Sequence, residues 1–202
     1  MPSASPTVFV IDDDPAVRQS ACWLLESAGR RVEVFESAET FLGIYTPDRP
    51  GCVLTDIRMP GLGGLQLQDT LRSQGYMIPI IIMTAYGDVS LAVRAMKAGA
   101  IDFLEKPYGD QALLDLIEDA IKKDEVIRRE HEEAAAARGK YESLTPREQQ
   151  VMDLIVQGRS NKQMAAQLSI STKTIEAHRS KVMGKMSAGS IAELTILAGL
   201  LH

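Results

Sequence analysis

The sequence predicts an α/β fold, a doubly wound five-stranded parallel sheet with helices on both faces, followed by a smaller all-α unit of four helices. Three observations predict it. Between Thr7 and about Lys122, short apolar runs alternate with amphipathic stretches, the pattern of a parallel sheet covered on both sides. Beyond Tyr141 only helical periods recur. The charge also changes sign: residues 140–202 hold eight Lys/Arg against five Asp/Glu, whereas the remainder holds 14 against 22. An acidic first part and a basic second part suggest two domains with different partners, although a random scatter of surface charge gives such counts too.

The elements follow in order. TVFVI at Thr7–Ile11 is a buried-strand run. Residues 15–28 place Val17, Ala21, Leu24, Leu25 and Ala28 at helical spacing and end at Gly29. A second strand is expected over 32–35 and a short helix over 38–45. GCVLT at 51–55 is the third strand, then a Pro-Gly turn and a helix over about 65–73. PIIIM at 79–83 is the fourth, a helix follows over about 89–98, and residues 101–104 form the fifth. From Gln111 one long helix begins, with Leu113, Leu114, Leu116, Ile117, Ala120 and Ile121 on its apolar face. Beyond Lys122 it turns polar, and Gly139 is expected to stop it. A solvated helix leaving a domain is a good connector.

The second part opens with Leu144-Thr145-Pro146-Arg147-Glu148, a helix start with Thr145 as N-cap, Pro146 at the first position and Glu148 three residues after the cap. That helix carries Val151, Leu154 and Ile155 and stops at Gly158. Residues 161–168 form a short second helix. A third runs from after Ser171 to about Met186, and a fourth spans 190–200. Two short helices joined by a tight turn are a helix-turn-helix layout.

Composition removes several function classes. At 45% apolar the chain affords a packed core. No apolar run approaches the roughly 20 residues that span a bilayer. Residues 1–6 lack the basic start and apolar stretch of a secretion signal, so a cytoplasmic protein without a membrane partner is expected. Cys22 and Cys52 lack metal-ligand spacing and read as reduced core residues.

Ligands of an open parallel sheet sit at the carboxyl ends of its strands. After the first strand come Asp12, Asp13 and Asp14; after the third, Asp56; after the fourth, Thr84; after the fifth, Lys106 and Pro107. Any one of these acids reads equally as a helix cap or a solvated turn residue. Together they converge on one rim. Clustered carboxylates repel and want a cation, and hard oxygen ligands suit Mg²⁺. With a lysine and a threonine hydroxyl beside it, such a site is built to hold a phosphoryl group, with Asp56 as nucleophile.

The segments VIDDDPAVR, LTDIRMPGLGGLQL and IIMTAYGDVSLAVRAMKAGAIDFLEKPY resemble the response-regulator receiver family, whose sheet is flavodoxin-like, over essentially all of residues 7–122. The resemblance implies that Asp56 is the phosphoacceptor. It also implies that Asp13, Asp56 and the backbone carbonyl of Arg58 ligate Mg²⁺, with Asp12 acting largely through water. Thr84 and Phe103 would be the switch pair, and Lys106 would pair with the phosphoryl group. Asp14 is better read as a helix cap. Gly63 stands where the family often has serine.

In the third C-terminal helix Ile175, His178, Val182 and Met186 form one inward stripe. His178 is then a packed histidine with one hydrogen bond. The opposite face carries Lys173, Thr174, Glu176, Ala177 and Ser180, suited to reading major-groove edges. Arg179, Lys181 and Lys185 flank it toward phosphates, and Asn161 with Lys162 at the preceding helix start can grip another. Residues 158–186 hold six basic residues and one acidic one, which favours a phosphate footprint over a merely solvated face. LTPREQQVMDLIVQGRSNKQMAAQLSISTKTIEAHRSKVMGKM resembles the LuxR-type helix-turn-helix of the FixJ/NarL response regulators over about 143–200. The final helix is either a dimer face or core, and the resemblance favours the former.

Three rival readings fit the residues less well. An aspartate-nucleophile phosphatase needs a second acid two residues after the nucleophile, where Arg58 stands. Consecutive Asp12–Asp14 do not make an EF-type calcium loop. A stand-alone adaptor leaves the helix-turn-helix unused. The expectation is therefore a two-component response regulator and not an enzyme, apart from assisting its own phosphotransfer and dephosphorylation. Its receiver would span 1–122, a helical linker 123–140 and a DNA-binding domain 141–202. The implied partners are a sensor histidine kinase, double-stranded promoter DNA, RNA polymerase, and a second copy of the chain on phosphorylation. The family resemblance alone implies activation rather than repression.

Overall fold

A computed structural model describes residues 5–85 and 89–201 of the chain. The Tyr86–Asp88 stretch of the receiver resemblance lies outside them. The chain divides into two compact units, residues 1–127 and 128–202.

In the first unit five parallel strands, β1 (Thr7–Ile11), β2 (Arg31–Phe35), β3 (Gly51–Asp56), β4 (Ile80–Ala85) and β5 (Asp102–Lys106), lie in the order β2-β1-β3-β4-β5. Helices α1 (Pro15–Ser27), α2 (Ala38–Leu42), α3 (Gly64–Ser73) and α4 (Val89–Lys97) connect them, and α5 (Asp110–Glu142) follows β5. Alternate strand residues feed opposite cores. Phe9, Ile11, Val53, Ile80 and Ile82 pack with Phe41, Leu67, Leu71 and Ala95 of α2, α3 and α4. Val8, Val10, Cys52, Leu54, Ile81 and Met83 pack with Ala21, Leu25, Leu113, Ile117 and Ala120 of α1 and α5. With both faces covered, the strands need continuous apolar runs, which is what the sequence offers. Both cysteines are free, and burial pushes the Cys52 thiol up to about 12.

Several element ends differ from expectation. β4 and β5 run on to Ala85 and Lys106, so Thr84, one residue before the end of β4, and Lys106, the last residue of β5, are strand rungs rather than loop residues. The long helix does not stop at Gly139 but continues to Glu142. Nothing crowds Gly139, and a single glycine costs only about 1 kcal/mol in a helix interior flanked by good helix formers.

The second unit holds α6 (Pro146–Val156), α7 (Asn161–Leu168), α8 (Thr172–Met186) and α9 (Ile191–Gly199). Thr145 caps α6 and closes a capping box with Glu148, as the sequence predicts. Val151, Leu154, Ile155, Met164, Ile175, Val182, Met186 and Leu194 make its core. No described helix is long and apolar enough to cross a membrane.

Candidate functional site

The strand order reverses its winding between β1 and β3, so the crevice beyond their carboxyl ends is where a ligand fits. Asp12 leaves β1 there, fully buried, and Asp56 ends β3 with its side chain 16% exposed. Carboxylate oxygens of Asp12, Asp13 and Asp56 lie within 4.8 Å of one another. Lys106, at the end of β5, crosses to both strands: its Nζ donates to Asp12 Oδ2 at 2.7 Å and to Asp56 Oδ2 at 2.6 Å.

The remaining oxygens are fixed by backbone. Asp12 Oδ1 accepts from the Asp14 amide at 2.9 Å, and Asp56 Oδ1 accepts from the Arg58 amide at 3.1 Å. Arg18, one turn into α1, donates to the Asp12 carbonyl at 2.6 Å. Asp14 caps α1 by accepting from the Ala16 amide at 2.8 Å. Burial pushes the Asp12 carboxyl above its ordinary range, against the opposing pull of Lys106 and the Asp14 amide. Burial works to lower the Lys106 ammonium, but its bonds to Asp12 and Asp56 outweigh that, and the net shift is upward.

Three carboxylates against one ammonium leave two negative charges, the complement of one divalent cation. The donors are hard oxygens around a partly open space, a set that fits Mg²⁺ and not a thiolate- or imidazole-seeking metal. Thr84 is 3% exposed and follows Met83, the register partner of Asp56. Phe103 pairs in register with Ile82 and is 42% exposed at the surface. Val93 and Met96 of α4 are exposed as well, with Arg94 and Lys97 beside them.

In the second unit Lys162, Lys173, Thr174, Glu176, Ala177, Ser180 and Lys181 are exposed, while Asn161 and Arg179 are half-buried. Ser160 and Ser171 cap α7 and α8. Thr174 is engaged in that cap, since its amide and hydroxyl both meet Ser171 Oγ, at 3.1 and 2.7 Å. Lys185 is not free for phosphate: its Nζ donates to Glu148 Oε2 at 2.7 Å and to the Ser143 carbonyl at 3.0 Å. Glu148 is buried, so it draws in the nearest ammonium. His178 packs half-buried as expected, with its Nδ1 buried and without a hydrogen-bond partner among the described residues. The sequence reading assigns no role to Arg18 of α1 or to Glu39 of α2, although the strand-end rule that finds the other acids also points to the segment after β2, where Glu39 lies.

The response regulator receiver domain model matches residues 8–118, and the model of bacterial regulatory proteins of the luxR family matches 142–198. Transcriptional regulatory protein FixJ of Bradyrhizobium diazoefficiens is 47% identical over 191 residues, 95% of this chain and 93% of that one. Nodulation protein W of the same organism is 43% identical over 95% of this chain and 85% of its own. Among solved structures, response regulator StyR superposes with a TM-score of 0.85 at 45% identity, covering 97% of this chain and 99% of that one. The amino-terminal fragment of FixJ gives 0.56 at 42% identity over 59% of this chain and 95% of its own.

Proposed function

This chain belongs to the response regulators that join a receiver domain to a LuxR-type helix-turn-helix, and it is a transcriptional regulator; from that premise we propose that phosphorylation of Asp56 by a partner histidine kinase switches on promoter binding by the second unit. The observation that supports this best is the bridging of Asp12 and Asp56 by Lys106 inside a carboxylate cluster suited to a divalent cation.

An Asp56 carboxylate oxygen attacks phosphorus, the bond from phosphorus to the donor imidazole breaks, and the imidazole leaves with a proton. Lys106, already within hydrogen-bond reach of Asp56, follows the charge onto a phosphoryl oxygen. The Thr84 hydroxyl donates to another, and Phe103 turns inward from the surface as Thr84 moves. Asp13, Asp56 and the Arg58 backbone carbonyl would hold Mg²⁺, with Asp12 acting largely through water. When bound, the ion supplies neutralising charge to the phosphoryl oxygens. The protein turns over no outside substrate beyond its own phosphotransfer and dephosphorylation.

In the second unit Lys173, Thr174, Glu176, Ala177 and Ser180 face base edges in the major groove, while Arg179, Lys181, Asn161 and Lys162 meet phosphates. Residues 1–122 act as the receiver, 123–140 as the connector and 141–202 as the DNA-binding domain. The protein works in the cytoplasm as an activator that pairs on phosphorylation and engages RNA polymerase at the promoter.

Incubation with acetyl phosphate and Mg²⁺, followed by mass spectrometry of the acid-labile adduct, tests the core of this reading. Label is expected on Asp56 alone. Label retained in Asp56→Asn, or full labelling in EDTA, overturns the assignment.

A further inference from the structure

The loop that follows Asp56 spans residues 57–63, between β3 and α3. Its last amides are satisfied close by: Gly63 N–H donates to Gln66 Oε1 at 2.8 Å, and Gly64 N–H, at the start of α3, to the Ile57 carbonyl at 3.2 Å. The Leu62 amide is served from another element. It donates to Glu39 Oε1 on α2 at 2.9 Å, 23 residues away in sequence. Gly61 makes room for that bond. Its φ is +74°, and a Cβ there would lie 2.5 Å from the same Glu39 oxygen. Glycine suits the left-handed backbone, and a side chain there would push the Glu39 carboxylate from its place.

The mount behind Glu39 is firm. Ala38 and Phe41 of α2 are fully buried, and Phe41 stacks on Tyr45 with centroids 5.0 Å apart. Ser37 caps the helix. Hydrogen bonds from its own amide and from the Leu62 amide hold the Glu39 carboxyl below its ordinary range, so it presents a charged acceptor at neutral pH.

We infer that Glu39 is a positioning residue for phosphoryl transfer: by holding the Leu62 amide it fixes the 57–63 loop, and with it the Arg58 carbonyl offered to the metal. This rests on the reading of Asp56 and its cation given above. A residue that merely tied down a surface turn would leave the metal site unaffected, and that difference decides the experiment.

The full-length protein is compared with Glu39→Ala and Glu39→Gln, the second of which keeps the acceptor oxygen without its charge. Amide hydrogen exchange reads the 57–63 segment, and calorimetric titration with Mg²⁺ alone reads the site without any phosphodonor. In Glu39→Ala, exchange at Leu62 should rise about tenfold or more, the worth of one charge-assisted bond. Mg²⁺ affinity should fall severalfold in the same variant, and Glu39→Gln should recover most of both. Faster exchange with unchanged Mg²⁺ affinity, or no change in either, overturns the inference. Wild-type protein that takes up no Mg²⁺ overturns the metal reading instead, and the exchange comparison then decides the Leu62 anchor by itself.

Discussion

Glu148 illustrates how one buried carboxylate ties distant sequence together. Its Oε2 accepts from the Thr145 amide at 2.9 Å and from Lys185 at 2.7 Å, so it closes a helix cap and pins α8 to α6 at once. The Lys185 ammonium and the Thr145 amide hold its carboxyl down at about 2, from an ordinary 4.5. A carboxyl depressed on folding stabilises fully above its unfolded value. That stability is lost as pH falls from about 4.5 through about 2, because the unfolded chain takes up the proton first. Urea melts of the protein should therefore weaken over that window, and Glu148→Gln should flatten its share of the slope; identical pH dependence in both proteins would count against the pairing. The capping half of this arrangement was legible in Thr145-Pro146-Arg147-Glu148, because capping is local. The Lys185 half was not. A pairing across 37 residues leaves no periodic trace, and Lys185 read as one more basic residue on a basic helix. Asp12, Asp13, Asp56 and Lys106 were legible for the opposite reason: in a parallel sheet, chain position at a strand end is already spatial position. Glu39 obeys the same rule, yet its partner is a backbone amide, which no residue pattern marks.

At the scale of elements, apolar periodicity located the strands and helices but placed their ends poorly, as at β5 and Gly139. Strand ends depend on register with neighbours, and a helix continues past a glycine when nothing competes for its hydrogen bonds. Gly139 gives a direct test. It has open space around it and lies within α5, so Gly139→Ala should add helicity by circular dichroism and stabilise by about 0.5–1 kcal/mol. A loss of stability would mean that the position needs glycine's backbone freedom. α8 gives a second test. Its buried stripe of Ile175, Val182 and Met186 fixes which face is outward, so Lys173 and Ser180 are offered to a groove. Ser180→Ala and Lys173→Ala should each reduce discrimination between bases by about 1–3 kcal/mol where a contact is lost. Lys162→Ala should weaken binding to all sequences alike and reduce its salt dependence. Binding titrations against matched and mismatched sites at two salt concentrations separate these outcomes, and unchanged specificity in both α8 variants would move the reader elsewhere.

For the whole molecule the question is how a charge added at Asp56 reaches DNA. A phosphoryl group brings about −1.5 to −2 charges to a site that already holds three carboxylates and one lysine. On the function proposed above, Thr84, buried on β4, would meet it, and Phe103, exposed on the neighbouring strand, would fill the space Thr84 leaves. Both lie beside α4, whose outer residues Val93, Arg94, Met96 and Lys97 mix apolar and charged groups as a two-fold interface does. Pairing through that face would bring two DNA-binding units to half-sites about one helical turn apart. On the function proposed above, the long α5 would carry any such change onward, and its attachment to the first unit extends past Lys122. Asp124 is 2% exposed, and its carboxylate accepts at 2.8 Å from the amide of Gly51, the first residue of the strand that ends in Asp56. Sedimentation of the full chain with Mg²⁺ should show a monomer becoming a dimer when beryllium fluoride mimics the phosphoryl group. Thr84→Ala should respond less, because the hydroxyl that meets the mimic is gone. Met96→Glu should stay monomeric with the mimic bound, because pairing would face two like charges across the two-fold axis. If the wild type remains a monomer at micromolar concentration with the mimic bound, pairing through α4 and β5 is wrong, and phosphorylation must act by freeing the DNA-binding unit within a single chain.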